Sequence, residues 1–532
     1  MTEQKIIGKG TWIDKLAFEL IEREKHLGRN TDLIRVESGL GASGIPHIGS
    51  LGDAARAYGV KLALENLGYK SELIAYSDDL DGLRKIPEGL DVKEENLGRR
   101  VSAIEDPYGE CHDSYGSHMS SLLLDGLDKL GIKYVHRTAH DTYKNGILKE
   151  QIHRILVNSK KIGNAIEELT GQTKFQNILP YFPVCQNCDK LYTTESYEYL
   201  EDEKKIRYRC KDSEIGSDKH ILKGCGHEGE AHITNDLGKL AWKVEFAARW
   251  QAFDIRFEAH GKDIMDSVKV NEWVSDEILE FPHPHSVKYE MFLDKGGKKI
   301  SKSLGNVVTS GKWLNYGTPE SILLLLYKRI TGAREVGFED IPGLMNEYNE
   351  LEDIYFGKTK VDNEAKLVKS KGLYEYVNLL NTPKNSGTHV NYRLLIELCK
   401  IFKDDRLERV TSKLIDYGTI KETNSDIEDL IKRAGNYSDD FEETKIPATK
   451  IAIDDSSKAA LRQLADLLSK NETVEDLQNS IYSIAKENQV QPKNFFRILY
   501  QIILSTDRGP KIGPFIEDVG MKKVADSIYG HI

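Results

Sequence analysis

Apolar positions between residues 32 and 76 change their period twice. Leu33, Ile34 and Val36 form a short run that predicts a strand over 32–37, ending in a glycine-rich turn over 38–44. From 50 to 67 the apolar residues Leu51, Ala54, Ala55, Tyr58, Leu62 and Leu64 recur at helical spacing, and Gly68 stops the pattern. Residues 72–76 read as a second strand, running into Ser77-Asp78-Asp79-Leu80-Asp81. Strand, helix and strand in this order predict a parallel nucleotide-binding sheet, whose ligands sit beyond the carboxyl ends of the strands. The pattern breaks from about 106 to 230, where helical stretches and a short strand over 133–137 are expected. It resumes with strands over 254–259 and 287–293, so an insertion between two halves of one sheet is the simplest account. Beyond about 362 the chain reads as helical, with helices over 392–402, 457–469, 474–487 and 492–504.

Composition adds bounds rather than identity. The 532 residues are 39% hydrophobic and 30% charged, the balance of an ordinary folded chain of several domains. No apolar run reaches membrane-spanning length and the first five residues lack a signal-peptide core, so a cytoplasmic protein with no membrane role is expected. Six cysteines fit a reducing compartment better than a disulfide scaffold. A net charge of -11 excludes a globally basic nucleic-acid binder but permits a local basic face with salt-dependent RNA contact.

Two segments carry chemistry. Ser43-Gly44-Ile45-Pro46-His47-Ile48-Gly49-Ser50 puts glycines and a histidine where the first strand turns into a helix, a place suited to nucleotide phosphates. Lys299-Ile300-Ser301-Lys302-Ser303 puts two lysines on a loop flanked by Gly296-Gly297 and Gly305-Asn306. Activation of a carboxylate by ATP needs in-line attack on the α-phosphate. The carboxylate is already ionised at pH 7, so the work is positioning and charge neutralisation, without a protein nucleophile or base. In that scheme His47 and the amides near Gly49 meet phosphate oxygens, Ser43 adds a hydroxyl, and Lys299 and Lys302 act on the transition state. Mg²⁺ accompanies the ATP. Taken singly, His47 is a helix cap and the lysines a solvated loop; their order and glycine flanks favour the catalytic reading. In Glu258-Ala259-His260-Gly261-Lys262-Asp263, Gly261 permits close approach of adenosine and Asp263 can accept from ribose hydroxyls, with a plain exposed turn as the alternative.

These two segments resemble the paired ATP signatures of class I aminoacyl-tRNA synthetases, with Ser50 where that class usually has histidine or asparagine. Further stretches resemble the archaeal-type class I lysyl-tRNA synthetases. They are Val36-Glu37-Ser38-Gly39, Asp78-Asp79-Leu80-Asp81 with Arg84-Lys85, and Asp106-Pro107-Tyr108-Gly109 followed by Cys111-His112. Trp242-Lys243-Val244-Glu245 with Arg249-Trp250, Gly261-Lys262-Asp263 and Lys288-Tyr289-Glu290 continue the likeness, and residues 507–514 carry it more weakly. Gly41, Ile264 and Phe246 depart from the family's usual threonine, histidine and tryptophan.

The resemblance implies an α/β fold: a Rossmann-like parallel-sheet catalytic domain split by a zinc-containing insertion, then an α-helical C-terminal domain. Its segments would be 1–106 (first half of the catalytic domain), 107–230 (inserted connective domain), 231–361 (second half with the lysine loop and a stem-contact region) and 362–532 (anticodon-binding domain). The implied activity is ATP-dependent activation of L-lysine and its transfer to the 3′ end of tRNA(Lys), by a chain expected to be a monomer. ATP would meet Ser43, Gly44, His47, Gly49, Ser50, Gly261, Asp263, Lys299, Ser301 and Lys302. A lysine pocket needs a carboxylate or aromatic face for the ε-ammonium, and Gly39, Asp78, Asp79, Asp81, Glu245, Trp250 and Tyr289 are the candidates. Asp78 and Asp79 have Mg²⁺ placement as a second role. A synthetase for another amino acid, glutamate first, a non-tRNA nucleotidyltransferase and an inactive tRNA-binding paralogue stay open as alternatives.

Cys185-x-x-Cys188, Cys210 and Cys225-Gly226-His227 predict a tetrahedral zinc site rather than a redox pair. Cys185, Cys188, Cys210 and Cys225 are the ligands and His227 the substitute. Four protein ligands close such a site and make it structural. Cys111 and Cys399 read as ordinary thiols. Near the C-terminus Lys493, Arg497, Arg508, Lys511, Lys522 and Lys523 have RNA phosphates or plain solvent as their partners.

Overall fold

Strands that are apolar on both faces belong in the middle of a covered parallel sheet, and the computed structural model bears this out. It describes residues 6–532 except 88–89, 110, 216–219, 236, 291, 298–307, 442–452, 471–474, 505 and 508. Five strands form the main sheet: β1 (Ile34–Leu40), β2 (Ser71–Ser77), β3 (Val135–Thr138), β4 (Ile255–Gly261) and β5 (His285–Tyr289). Their order is β5-β4-β1-β2-β3, all parallel. The chain builds outward from β1 to one side, then restarts with β4 on the other. The reversal between β1 and β4 leaves a crevice at the carboxyl ends, the place where such sheets bind ligands.

Helices cover the sheet: α1 (Trp12–His26), α2 (Ile48–Asn66), α3 (Tyr115–Lys129), α4 (Trp242–Phe253) and α5 (Met265–Glu277). α1 starts with a reciprocal cap in which Thr11 and Asp14 satisfy each other's backbone amides. α2 is buried along Leu51, Ala54, Ala55, Tyr58, Leu62 and Leu64, the residues whose spacing predicts it.

Three boundaries differ from the sequence reading. β1 runs to Leu40, because Ser38 and Gly39 pair with Ala75 and Tyr76 instead of turning away. β3 pairs with β2 through Ile74↔Val135 and Tyr76↔Arg137, so the first half of the sheet extends past residue 106. The insertion closes through the antiparallel pair Tyr181–Pro183 and Gly238–Leu240, later than residue 230. Within it, Thr194–Leu200, Lys205–Cys210 and Glu228–His232 form a separate three-stranded sheet.

The chain divides into two compact units. The first holds 1–311, 322–337 and 360–382; the second holds 312–321, 338–359 and 383–532. The helix Glu364–Val377 therefore belongs to the first unit, where the Tyr376 hydroxyl donates to Asp14 Oδ1 at 2.7 Å. The second unit is helical, with Tyr392–Ile401, Asp455–Lys470, Leu477–Glu487 and Pro492–Leu504 close to their expected places. No helix among the described residues is long and apolar enough to cross a membrane.

Candidate active site

His47 is the N-cap of α2. Its Nδ1 accepts from the amides of Gly49 (3.0 Å) and Ser50 (3.3 Å), so the neutral ring carries its proton on Nε2 and becomes a donor on its other edge. A side chain at position 49 would put Cβ 2.7 Å from the imidazole, which explains Gly49. The sequence reading gave phosphate contacts to the amides near Gly49; the structure engages two of them with the imidazole. The amide of Ile48 donates to the carbonyl of Val308 at 2.8 Å, so the chain rejoins this helix start just after residues 298–307. Lys299, Ser301 and Lys302 lie outside the described residues.

A cavity of about 730 Å³ opens at the β1/β4 crevice. His47, Gly49, Ser50, Gly39, Asp78 and Tyr289 line it, as do Gly261 and Asp263 at the end of β4. A Cβ on Gly261 would lie 2.6 Å from Asp263 Oδ1. Gly41, Phe246 and Ile264, the three departures from the family text, all face this one cavity. Ser43 is exposed and Gly44 buried, both off its lining. Trp250 is buried behind it, its Nε1–H donating to Glu258 Oε2 at 2.5 Å. Arg56, which the sequence reading passed over, also lines the cavity. It is 2% exposed and stacks 4.2 Å from the Tyr289 ring, in space that Gly52 leaves open.

Asp78, on the cavity lining, belongs to a buried charge cluster. Lys239, 1% exposed, sits 2.8 Å from Asp78, 2.6 Å from Asp81 and 3.0 Å from Glu245. The Tyr143 hydroxyl donates to Glu245 at 2.7 Å and the Trp242 Nε1–H to Asp81 at 3.3 Å. Three of the acids nominated for the substrate thus hold a cation of the chain itself. The fourth, Asp79, accepts from the His140 amide at 2.8 Å, and burial pushes its carboxyl up to about 7. A second buried set pairs Arg249 with Glu37 at 2.8 Å and with Glu258 at 3.7 Å. Burial, opposed by Arg249, raises the Glu37 carboxyl to about 8.

Two groups of side chains could hold a metal ion. The thiols of Cys185, Cys188, Cys210 and Cys225 lie within 4.8 Å of one another, with Cys185–Cys225 at 3.6 Å and Cys188–Cys210 at 3.7 Å. Those spacings match the edge of a tetrahedron with metal–sulfur bonds of about 2.3 Å, and far exceed a disulfide. His227 stands outside the set. Asp106, Cys111, His112 and His118 form a second group, with His112 and His118 Nδ1 atoms 3.1 Å apart and Cys111 Sγ 3.4 Å from His118. Cys111, read from the sequence as an ordinary thiol, stands within this group. Two imidazoles, a thiol and a carboxylate converge on one point, a donor set suited to zinc.

A cavity at the strand-order reversal, beside a capped helix start, is that of a nucleotide-binding α/β enzyme. Residues 10–379 match the model of the family described as tRNA synthetases class I (K), and the chain belongs to that family. It is 60% identical over 530 residues to a lysine–tRNA ligase of Cenarchaeum symbiosum (strain A), covering 99% of this chain and 100% of that one. A lysine–tRNA ligase of Rickettsia felis is 31% identical over 507 residues, covering 93% and 92% of the two chains. Among solved structures, a glutamate-tRNA synthetase from Elizabethkingia anophelis aligns with 94% of this chain and 99% of its own, at 11% identity and a TM-score of 0.36.

Proposed function

We propose that this protein joins L-lysine to ATP as lysyl-adenylate and passes the lysyl group to the 3′ end of tRNA(Lys). The carrying observation is the excess of buried acid at the cavity. Glu37, Asp78, Asp81, Glu245 and Glu258 face Lys239 and Arg249, with Arg84 3.8 Å from Asp81, so acids outnumber cations and the surroundings favour a cationic substrate over glutamate. Relatives that align along nearly the whole chain are lysine–tRNA ligases, which supports the same reading.

In the first step a lysine carboxylate oxygen attacks the α-phosphorus, the bond to the β-phosphate oxygen breaks, and pyrophosphate leaves with its Mg²⁺. His47 donates from Nε2 to a phosphate oxygen, Gly261 and Asp263 take the adenosine, and Lys299 and Lys302 neutralise the leaving charge. In the second step a hydroxyl of the terminal ribose attacks the carbonyl carbon. AMP leaves, and the hydroxyl proton departs with it or to solvent. The helical second unit takes the anticodon, and the insertion the acceptor end.

The test is charging of total tRNA with lysine, glutamate, arginine or cysteine in the presence of ATP and Mg²⁺. Lysine alone is expected to be charged, and Lys302→Ala to lower its rate by about 100-fold or more with little change in ATP binding. Charging with glutamate alone overturns the substrate, and absence of charging with tRNA still bound overturns the enzyme.

The Cys185–Cys188–Cys210–Cys225 set holds a structural zinc, and the Asp106–Cys111–His112–His118 set a second ion. Metal analysis of the purified protein is expected to give two zinc equivalents per chain. Cys188→Ser loses one and weakens the fold of the insertion, since metal-binding energy there is folding energy. His118→Ala loses the other; one equivalent in the unaltered protein refutes the second site.

A further inference from the structure

The lysine reading leaves open which group recognises the substrate side chain, and this inference rests on that reading. We propose that the Glu258 carboxylate, backed by Glu37, receives the ε-ammonium of lysine. Asp78, Asp81 and Glu245 are occupied by Lys239, and Asp79 by the His140 amide. Glu258 lines the cavity with its side chain 12% exposed. Trp250 holds its Oε2, while Oε1 lies 3.7 Å from Arg249, too far for a hydrogen bond. That oxygen keeps its lone pairs for an incoming donor.

The sheet register places Glu37 directly beside Glu258, so two carboxylates lie side by side on one face. Neither oxygen of Glu37 has a hydrogen-bond partner among the described residues, although Arg249 stands at ion-pair distance. Two acids share one guanidinium in a buried setting; burial raises Glu37 so that it keeps its proton in the empty site, and an arriving ammonium favours its ionised form. Gly39 keeps the approach open: its Cβ would lie 4.0 Å from Glu258 Oε1 and 3.9 Å from Arg249, so a larger side chain would fill the space where the ammonium enters.

Depth agrees with length. Glu258 is three residues short of the strand end at Gly261, roughly 10 Å down the crevice at about 3.3 Å per residue. A lysine with its carboxylate at the mouth near His47 directs its methylenes inward along Phe246, whose ring lies 4.8 Å from the Arg249 guanidinium.

Lysine- and tRNA(Lys)-dependent ATP–pyrophosphate exchange tests this with Glu258→Gln, which retains an acceptor for Trp250. The KM for lysine is expected to rise about 100-fold with the KM for ATP unchanged, because an ammonium would meet a neutral amide in a buried site. Preference for lysine over norleucine falls with it, and Glu258→Asp recovers part of the loss. If Glu258→Gln fails to fold, Gly39→Val, which leaves both acids in place, is expected to raise the lysine KM alike. An unchanged lysine KM overturns the assignment, as does an equal loss for lysine and ATP, the mark of a counter-ion that only supports the fold. Failure of the unaltered protein to use lysine overturns the parent reading instead.

Discussion

Replacing Lys239 with methionine is expected to destabilise the protein by about 3–5 kcal/mol, the usual cost of leaving a buried ion network without its partner. That is a large share of the stability of an ordinary domain. Lys239 Nζ lies within 3.0 Å of three carboxylates, itself 1% exposed. Methionine keeps the length of the side chain and removes only the charge. Burial disfavours an ammonium here, yet Asp78, Asp81 and Glu245 together hold its pKa well above the ordinary 10.5. The lysine itself therefore stays charged at every pH below about 10.5 and loses its proton only as pH rises through that higher value, so any change at lower pH comes from the acids around it.

Glu245 moves the opposite way. Burial, opposed by Lys239, raises its carboxyl from 4.5 to about 7, so the folded chain holds that proton more tightly than the unfolded one. Its contribution falls as pH climbs from about 4.5 to about 7. Without Lys239 the three acids protonate more readily still. The deficit of Lys239→Met is thus smaller near pH 5, where the acids become neutral, and full near pH 8. Urea midpoints of the two proteins at those pH values check it. A deficit that does not change with pH would mean that packing, not charge, is what Lys239 supplies.

The same lysine shows where sequence reasoning stops. In Gly238-Lys239-Leu240 nothing local distinguishes a buried lysine from an exposed one, and two of its partners are about 160 positions away at Asp78 and Asp81. The acids were therefore legible as a cationic site, but their occupant was not. Glu37 and Glu258 become neighbours only through the pairing of β1 with β4, a register that no local pattern carries. The helical and strand periods did locate α2, β2 and β4, since those segments bury their apolar positions in one unbroken layer. The Cys185-x-x-Cys188 pair was readable because its spacing is short and regular. Asp106, Cys111, His112 and His118 were not, because mixed ligand types at irregular spacing look like an ordinary loop until the chain folds them together.

Replacing His47 with alanine is expected to lower the rate of lysine activation by about 100- to 1,000-fold, the loss typical of one preorganised donor to developing charge. In the proposed reaction the residue does two jobs with opposite edges of one ring. Nδ1 accepts from Gly49 and Ser50 and caps α2, and that acceptance sets the tautomer that places the donor on Nε2. Loss of the cap alone costs about 1 kcal/mol of stability, whereas the rate loss corresponds to roughly 3–4 kcal/mol at the transition state. His47→Asn separates the two, because asparagine is a strong N-cap but too short to hold a donor where the imidazole edge lies. Asparagine is expected to restore the melting temperature of the unaltered protein while leaving activation low, with the defect in kcat and not in the KM for lysine. If asparagine restores both, His47 serves the helix alone, and the phosphates must be met entirely from the lysine loop.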